Sequence, residues 1–454
     1  MKSMKFEIDM CNGSIWKKML LFAIPLMLSS MLQLLFNAAD IVVVGRFAGD
    51  NSLAAVGSTS SLINLMVNLF VGLSVGANVL VARYFGAKQE SDLSSTVHTA
   101  ITLSLISGVI LAIIGVIGAP VILKWMQTPG DVLNLAVIYL RIYFLGMPVV
   151  MLYNFGAAIL RAVGDTGRPL IFLIIAGIIN VTLNLLFVIV LKMDVAGVAI
   201  ATVISQCVSA VLVLRCLVKE KRAIRVELKK LRIYKDKFLK ILQIGLPAGF
   251  QGTLFSLSNV FIQSSVNSFG EVVVAGNSAA SNIEGFVFVA MNAFHQAAIS
   301  FTSQNVGAGK YERVNKILVT ALGCVFVVGT VLGMGVYLLG EPLLGIYSGS
   351  AEVIKAGIVR LGIVCTTYAL CGMMDVMVGS LRGLGYSIMP MIVSLIGACA
   401  LRLVFLATVF QMEQFHYIET IYYTYPISWG LTFFVHVICF IVVRRMLNKR
   451  WKNA

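Results

Sequence analysis

Charged side chains are scarce in this sequence: Asp, Glu, Lys and Arg make up only 12% of 454 residues, against roughly 25% in soluble globular proteins. Hydrophobic residues make up 59%, and the mean hydropathy is +0.93. A soluble domain cannot hide that much apolar surface from water, whereas a bilayer removes the conflict if helices satisfy their own backbone. The composition argues against a soluble globular protein and predicts an all-α integral membrane protein.

Signatures of metal and nucleotide chemistry are also missing. The eight cysteines form no Cys-x-x-Cys pair, and no His-Glu-x-x-His motif occurs, so neither a zinc site nor a disulfide framework is supported. The GAGK segment at 307–310 is not a phosphate-binding loop, because Gln304 replaces the first glycine and Tyr311 follows the lysine. We therefore expect no cofactor and no ATP hydrolysis, and an ion gradient as the energy source.

Long apolar runs are what the sequence has in abundance. About 20 apolar residues span the hydrocarbon core of a bilayer, and twelve stretches qualify. They run roughly over 17–44, 52–82, 93–119, 132–160, 168–191, 195–218, 239–268, 272–303, 314–340, 353–381, 386–411 and 418–444. The sequence thus predicts twelve transmembrane helices.

The basic residues are distributed unevenly about these helices. If both termini are cytoplasmic, 28 of the 35 Lys and Arg residues lie on the cytoplasmic side and four on the opposite side. Because cytoplasmic loops are enriched in Lys and Arg, we expect cytoplasmic termini and a multi-pass protein of the bacterial cytoplasmic (inner) membrane. The net charge of +15 then reflects topology and attraction to anionic membrane lipid, and we expect no nucleic-acid partner.

The chain is an internal repeat. Pro25 and Pro247 are 222 residues apart, and LRAVGDTGRP at 160–169 recurs as LRGLGYSIMP at 381–390. A polar segment divides the chain near its middle. We therefore predict an N-terminal six-helix lobe over 1–218, a cytoplasmic linker over 219–238 and a C-terminal six-helix lobe over 239–454. Parallel repeats of this kind are typical of transporters, with the binding site between the halves.

A polar stripe on the first helix ends in an acid. Gln33, Asn37 and Asp40 share one helix face, and in lipid such a face must point to a cavity or a partner helix. A charge within the bilayer is costly, so Asp40 is a candidate titrating carboxylate or cation ligand. The alternative is a helix-end acid near the outer interface beside Arg46. Asn259, 222 residues after Asn37, repeats the amide in the second half.

Two more acids lie inside predicted spans, both in the second half. Asp375 occupies the position of Asn154 in the repeat, and its alternative role is an internal ion pair with Arg360 or Arg402. Glu284 is the other candidate for ligand or proton chemistry, and its alternative role is a buried hydrogen-bond network.

Other polar residues in the spans complete the candidate site. Glu284 shares a stripe with His295, an imidazole that is more often a satisfied interior group than a functional one. Asn180, Asn184 and Thr202 on the fifth and sixth helices have oxygens that can coordinate a cation or orient a carboxylate, although such groups also join helices. The candidates for lining a substrate cavity are Gln33, Asn37, Asn154, Gln251, Asn259 and His295.

Nine motifs in order carry a family resemblance over essentially the whole chain. They are Ile-Pro at 24–25, Asp40 followed by GRFAG, ARYFGAK, LRAVGDTGRP, NVTLNLLF, VAGVAIATVISQ, LPAGFQ, SQNVGAGK and LRGLGYS. Together they resemble the multidrug and toxic compound extrusion (MATE) family. The resemblance implies a V-shaped pair of pseudo-symmetric six-helix bundles that opens alternately to each side. It also implies export of organic, often cationic and amphipathic, compounds in exchange for H⁺ or Na⁺.

The resemblance also implies an ion site and partners. The N-terminal ion site, with a possible Na⁺, would use Asp40, Asn180, Asn184 and Thr202, although many relatives have a second acid where Asn184 stands. In the C-terminal half Asp375 matches an acid of some relatives, and Glu284 is the candidate for a further ion-coupling acid. We expect a monomer whose partners are a small organic substrate, the coupling cation and membrane lipid.

Two other function classes are open at this point. A lipid-linked oligosaccharide flippase of the same wider superfamily would line its cavity with basic residues, so whether Arg141, Arg360 and Arg402 face the cavity discriminates. A receptor-like scaffold or an intramembrane enzyme is the other class. The repeat and the asymmetric acids argue against a scaffold, and the missing metal and nucleotide motifs argue against an enzyme.

Overall fold

The structure, a computed structural model, describes residues 7–126 and 128–452 and is helical almost throughout this part of the chain. The α-helices are α1 (Ile15–Phe47), α2 (Asp50–Gly86), α3 (Glu90–Trp125), α4 (Gly130–Leu145), α5 (Met147–Ala162), α6 (Gly167–Asn184), α7 (Asp194–Val218), α8 (Lys235–Asn267), α9 (Glu271–Gly307), α10 (Glu312–Leu338), α11 (Gly340–Gly345), α12 (Ala351–Arg360), α13 (Tyr368–Gly383), α14 (Ile388–Ser394), α15 (Leu401–Ala407) and α16 (Ile418–Lys452). Three π-helical segments, Leu185–Val190, Leu361–Cys365 and Leu395–Ala400, follow α6, α12 and α14 directly.

The predicted membrane-spanning helices are present. Within the described residues, nine helices are long and apolar enough to cross a bilayer. Two bent pairs, α4 with α5 and α12 with α13, pass the same test together, which gives up to eleven spans if each pair is one span. The remaining predicted span, 239–268, corresponds to α8, which has 33 residues and begins with charged side chains. The predicted all-α membrane fold is thus confirmed, and the number of spans agrees approximately with the predicted twelve.

Each bend has a local cause. The bend of 47° between α4 and α5 falls at Gly146, and Pro148 in the next turn has no N–H to continue the helical hydrogen bonds. The bend of 43° between α12 and α13 falls at Thr366 and Thr367. Their hydroxyls donate to carbonyl oxygens four residues earlier at 2.5 and 2.7 Å, a back-bonding that bends helices.

The chain divides into two compact units. Within the described residues, unit 1 comprises 7–9 and 28–249, and unit 2 comprises 10–27 and 250–452. Two helices change unit along their length: α1 passes from unit 2 to unit 1, and α8 passes from unit 1 to unit 2. Both changes occur just after the repeat-related prolines Pro25 and Pro247. The predicted lobes 1–218 and 239–454 with their linker 219–238 stay a prediction.

Glycines bring α2 and the first part of α8 into backbone contact in unit 1. A Cβ on Gly72 would lie 2.2 Å from the nitrogen of Gly249, and one on Gly76 would lie 2.3 Å from a carbonyl oxygen of α8. Small residues four apart allow such close approach of membrane helices.

Residues 72–76, GLSVG, also match the Gly-x-Ser-x-Gly pattern of hydrolases, but Ser74 lies in mid-helix and donates to the carbonyl of Val71 at 2.7 Å. A nucleophile elbow needs a strand-to-helix turn, so here the pattern serves packing.

A second glycine pair packs α13 against α9 in unit 2. A Cβ on Gly379 would lie 2.7 Å from the carbonyl oxygen of His295, and one on Gly383 would lie 2.7 Å from Cβ of Thr302. This close approach places the polar residues of α9 beside those of α13.

Candidate functional site

Three helices of unit 1 bring four predicted site residues together. Asn184 at the end of α6 donates from Nδ2 to Oδ1 of Asp40 on α1 and to Oδ1 of Asn180 at 3.2 Å. Thr202 on α7 donates from Oγ1 to Oδ2 of Asp40 at 3.4 Å, and Asn180 donates to Thr202 Oγ1 at the same distance. The predicted residues of the ion site are therefore one connected network, which we name the Asp40 network.

The Asp40 network is mostly buried, with Thr202 partly exposed. Asp40 is only 9% exposed, and Asn180 and Asn184 are also buried. The side-chain oxygen of Asn184, Oδ1, is buried and has no hydrogen-bond partner among the described residues. A buried polar atom without a partner is costly and calls for a ligand or a rearrangement. Asn184 is followed at once by the π-helix Leu185–Val190, and π-helical turns recur at functional sites.

The donor set fits a hard monovalent cation such as Na⁺. Hard cations prefer oxygen ligands, and the network contains a carboxylate, two amide oxygens and a hydroxyl. Rotation of the Asn184 amide by about half a turn would exchange its nitrogen and oxygen, turning the unpartnered Oδ1 towards Asp40. The same carboxylate can bind a proton instead. Among the described residues no group of three or more His, Cys, Asp or Glu side chains could hold a metal ion.

The other polar candidates of the first half lie apart from this network. Gln33 and Asn37 precede Asp40 on the same helix and are exposed. Asn154 on α5 donates to the carbonyl of Val150 at 2.9 Å, which is a bond within its own helix. None of the three hydrogen-bonds to Asp40.

Unit 2 contains a cavity of about 300 Å³ that holds two of the predicted residues, Asn259 and Glu284. Polar and aromatic side chains share its wall, which suits a planar or amphipathic organic molecule. Its principal lining residues are Asn259, Gln263, Glu284, Arg360, Tyr368, Tyr425 and Trp429.

Glu284 is held by an arginine. Arg360 donates from Nε to Oε1 at 2.7 Å and from Nη2 to Oε2 at 2.8 Å, and both side chains are buried. Arg360 also donates to Oδ1 of Asn277 at 2.8 Å, and Tyr422 donates to the same oxygen at 3.2 Å. Glu284 is therefore part of a buried hydrogen-bond network, which was its alternative role in the sequence analysis. Its ion pair with Arg360 was not predicted from the sequence.

Asp375 lies in a different environment from Glu284. The carboxylate forms no hydrogen bond with the described residues, and neither Arg360 nor Arg402 forms the ion pair considered for it. Its backbone oxygen is 2.6 Å from Nδ1 of His295. On the same helix Arg382 donates to Oε1 of Gln251 at 2.8 Å.

The three intramembrane arginines have separate partners. Arg141 donates to the carbonyl of Val116 at 3.1 Å. Arg402 donates to Ser428 at 2.7 Å and lies over the ring of Tyr425 at 4.3 Å. Of the three, Arg360 lines the cavity, and its charge is already neutralised by Glu284.

Comparison with known proteins shows the family. The MatE family model matches residues 25–186 and 247–408, two ranges that begin 222 residues apart, at the paired prolines. This confirms the predicted repeat, and the chain belongs to the MatE family of multidrug efflux transporters. It is therefore a multi-pass membrane transporter and not an enzyme.

Individual relatives agree with this assignment. The chain is 29% identical over 390 residues to "Probable multidrug resistance protein YoeA" of Bacillus subtilis, covering 84% of each chain. It is 26% identical to "Probable multidrug resistance protein YpnP" of the same organism, covering 88% of this chain and 89% of the relative. Its fold is similar to that of the solved structure "Outward-facing conformation of a multidrug resistance MATE family transporter of the MOP superfamily", with a TM-score of 0.89 at 23% identity over 99% of both chains.

Proposed function

We propose that this transporter is a secondary active antiporter, which exports amphipathic organic cations in exchange for H⁺ or Na⁺ by alternating access. The observation that carries the proposal is the Asp40 network. A single buried carboxylate, hydrogen-bonded to Asn184 and Thr202, can bind and release one proton or one Na⁺. Such a group is what coupling to a cation gradient requires.

Coupling follows from unequal affinity for two conformations. A cation shifts a conformational equilibrium only by the difference in its affinity for the two states. The unpartnered Oδ1 of Asn184 supports this idea, because amide rotation would let the network satisfy either a bare carboxylate or a bound ion. Asp375 is the second candidate coupling acid, since its carboxylate forms no hydrogen bond or ion pair within the described residues and the nearby charge is that of Arg382.

The cavity of unit 2 is the proposed place for part of the substrate. Its aromatic side chains Tyr368, Tyr425 and Trp429 can pack against the apolar part of an organic molecule. Arg402 already lies over the rings of Tyr425 and Trp429, which leaves Tyr368 as the ring for a cationic group. Glu284 and Arg360 line this cavity as a neutral ion pair, so the proposed contact with the substrate is through the aromatic rings. Asn259, Gln251 and His295 remain proposed substrate-cavity residues, as do Gln33, Asn37 and Asn154 in the first half.

A flippase for a lipid-linked diphosphate is less well supported. It would need unpaired cations at its cavity, whereas Arg360 is already bound to a carboxylate. The asymmetric Lys and Arg distribution supports a protein of the bacterial inner membrane with both termini in the cytoplasm, and the monomer stays a prediction.

Transport assays in proteoliposomes test the proposal. An imposed pH gradient or an imposed Na⁺ gradient should drive movement of a fluorescent organic cation by the wild type. Asp375→Asn tests whether Asp375 also takes part in coupling, and Glu341→Gln, at an exposed position, is its control. Absence of transport of any organic cation under either gradient would contradict antiport and favour the flippase.

A further inference from the structure

Unit 2 has a second cavity, which shares no lining residue with the first cavity or with the Asp40 network. It has a volume of about 600 Å³ and lies between the start of α1 and the first turns of α10. Its wall includes Ile15, Trp16, Arg313, Lys316, Val319 and Thr320. All of these residues belong to unit 2. We name this cavity the Trp16 groove.

The charged part of the Trp16 groove is cationic and partly preorganised. Arg313 is held in place by donating to Oδ1 of Asn305 at 3.1 Å and to the carbonyl of Gly13 at 3.2 Å. A guanidinium has five donors, so it keeps several N–H groups for a ligand. Lys316, one turn further along α10, is exposed and has no hydrogen-bond or ion-pair partner in residues 7–126 and 128–452. Glu312 is also exposed but does not line the groove.

The apolar part of the groove continues into the membrane span. Trp16 is 54% exposed and Val319 is 68% exposed. Further along α10, Phe326 and Val327, seven and eight positions after Val319, are more than half exposed on the side of the helix that carries Val319. A soluble anion would leave this apolar strip uncovered, whereas an acyl chain would cover it.

We propose that the Trp16 groove binds one anionic glycerophospholipid. The phosphate lies between Arg313 and Lys316, the ring of Trp16 lies at the level of the headgroup, and one acyl chain follows the exposed face of α10 from Val319. Basic pockets at membrane helix ends bind anionic headgroups, and tryptophan concentrates at the membrane interface. Here both features line one cavity, and Lys17 lies 5.5 Å from the Trp16 ring centre, adding a third positive charge nearby.

Quenching of tryptophan fluorescence by brominated lipid tests this site in the full-length protein. Brominated phosphatidylglycerol and brominated phosphatidylcholine are titrated into detergent-solubilised protein, and the Trp16 signal is taken as the difference between wild type and Trp16→Phe. We expect half-maximal quenching of Trp16 at several-fold lower phosphatidylglycerol than phosphatidylcholine. Lys316→Gln should raise the phosphatidylglycerol concentration needed by about fivefold, as for loss of one cation near a lipid surface.

The controls keep the test independent of folding. Lys316 has no internal partner to lose, so its variant should fold even if Arg313→Gln does not. Lys449→Gln removes an exposed lysine from α16 in the same unit and should leave quenching unchanged. Equal quenching by both lipids, or an equal effect of Lys449→Gln, would overturn the proposal. Protection of Trp16 by glycerol 3-phosphate as strong as that by phosphatidylglycerol would overturn it too, and would make the groove a site for soluble phosphates.

Discussion

Asn184 donates a hydrogen bond from its side-chain amide to Oδ1 of Asp40, although 144 residues separate the two in the sequence. The second carboxylate oxygen accepts from Thr202, so both oxygens of a buried acid are bonded to uncharged groups. Asp40 is thus the one acid of its network. An exchange of one positive charge at this carboxylate is the step on which the proposed antiport depends.

The amide of Asn184 should be needed for coupling. Asn184→Leu keeps the branched shape of the side chain, although it is bulkier, and removes the donor to Asp40 and the unpartnered oxygen. A hydrogen bond to a charged group contributes about 1.5–3 kcal/mol, so we expect gradient-driven transport to fall by roughly tenfold or more. Asn134→Leu, at an exposed position of α4, is the matched control and should transport normally. Wild-type rates for Asn184→Leu would remove the amide from the coupling mechanism.

A second acid at the same position should change the response to Na⁺. Asn184→Asp places two carboxylates around the same point, which strengthens attraction for a cation. We expect the Na⁺ concentration that gives half-maximal transport to fall by at least about tenfold, because hard cations bind carboxylate oxygens preferentially. The measurement is transport against Na⁺ concentration at constant pH and ionic strength. An unchanged Na⁺ dependence would mean that the ion binds elsewhere.

The pair of Glu284 and Arg360 should stabilise the fold only while both partners are present. Removing one member of a buried ion pair leaves a charge unpaired, at a cost of about 3–5 kcal/mol. Glu284→Gln should therefore lower the thermal unfolding temperature in detergent by several degrees. The double variant Glu284→Leu with Arg360→Met should recover much of the loss. If Glu284→Gln loses transport while its unfolding temperature is unchanged, the carboxylate belongs to the coupling chemistry instead.

Packing of α2 against α8 should tolerate no side chain at Gly72. A Cβ there would lie 2.2 Å from the backbone nitrogen of Gly249, so the helices must separate or the protein must misfold. Gly72→Leu should fail to give a monodisperse protein on size-exclusion chromatography. Gly57→Leu in the same helix faces open space and should behave as wild type. Equal behaviour of the two variants would refute the close contact.

Much of the fold could be predicted because it follows from local chemistry. The apolar runs define the spans through a simple length requirement, and the paired prolines reveal the repeat. The bend at Gly146 and Pro148 was not predicted, although Pro148 is a visible signal for it. The passage of α1 and of α8 from one unit to the other could not be predicted, because it depends on packing. Pro25 and Pro247 are the only sequence features near the two points of change.

The site was predicted unevenly. Asp40, Asn180, Asn184 and Thr202 were grouped through the family resemblance, since helix periodicity relates only neighbours on one helix. The partner of Glu284 was missed, because Arg360 is 76 residues away and an ion pair between two helices leaves no mark on spacing.

A coupling role for Asp40 is tested by comparing wild type, Asp40→Asn and Asp131→Asn in proteoliposomes. Organic-cation export is followed under an imposed pH gradient and, separately, under an imposed Na⁺ gradient. Asp131 is an exposed acid in the first turn of α4, so its variant controls for the loss of one negative charge. We expect gradient-driven export to fall at least about a hundredfold in Asp40→Asn and to be retained in Asp131→Asn. Export by Asp40→Asn at the wild-type rate under the driving gradient would exclude this carboxylate as the coupling group.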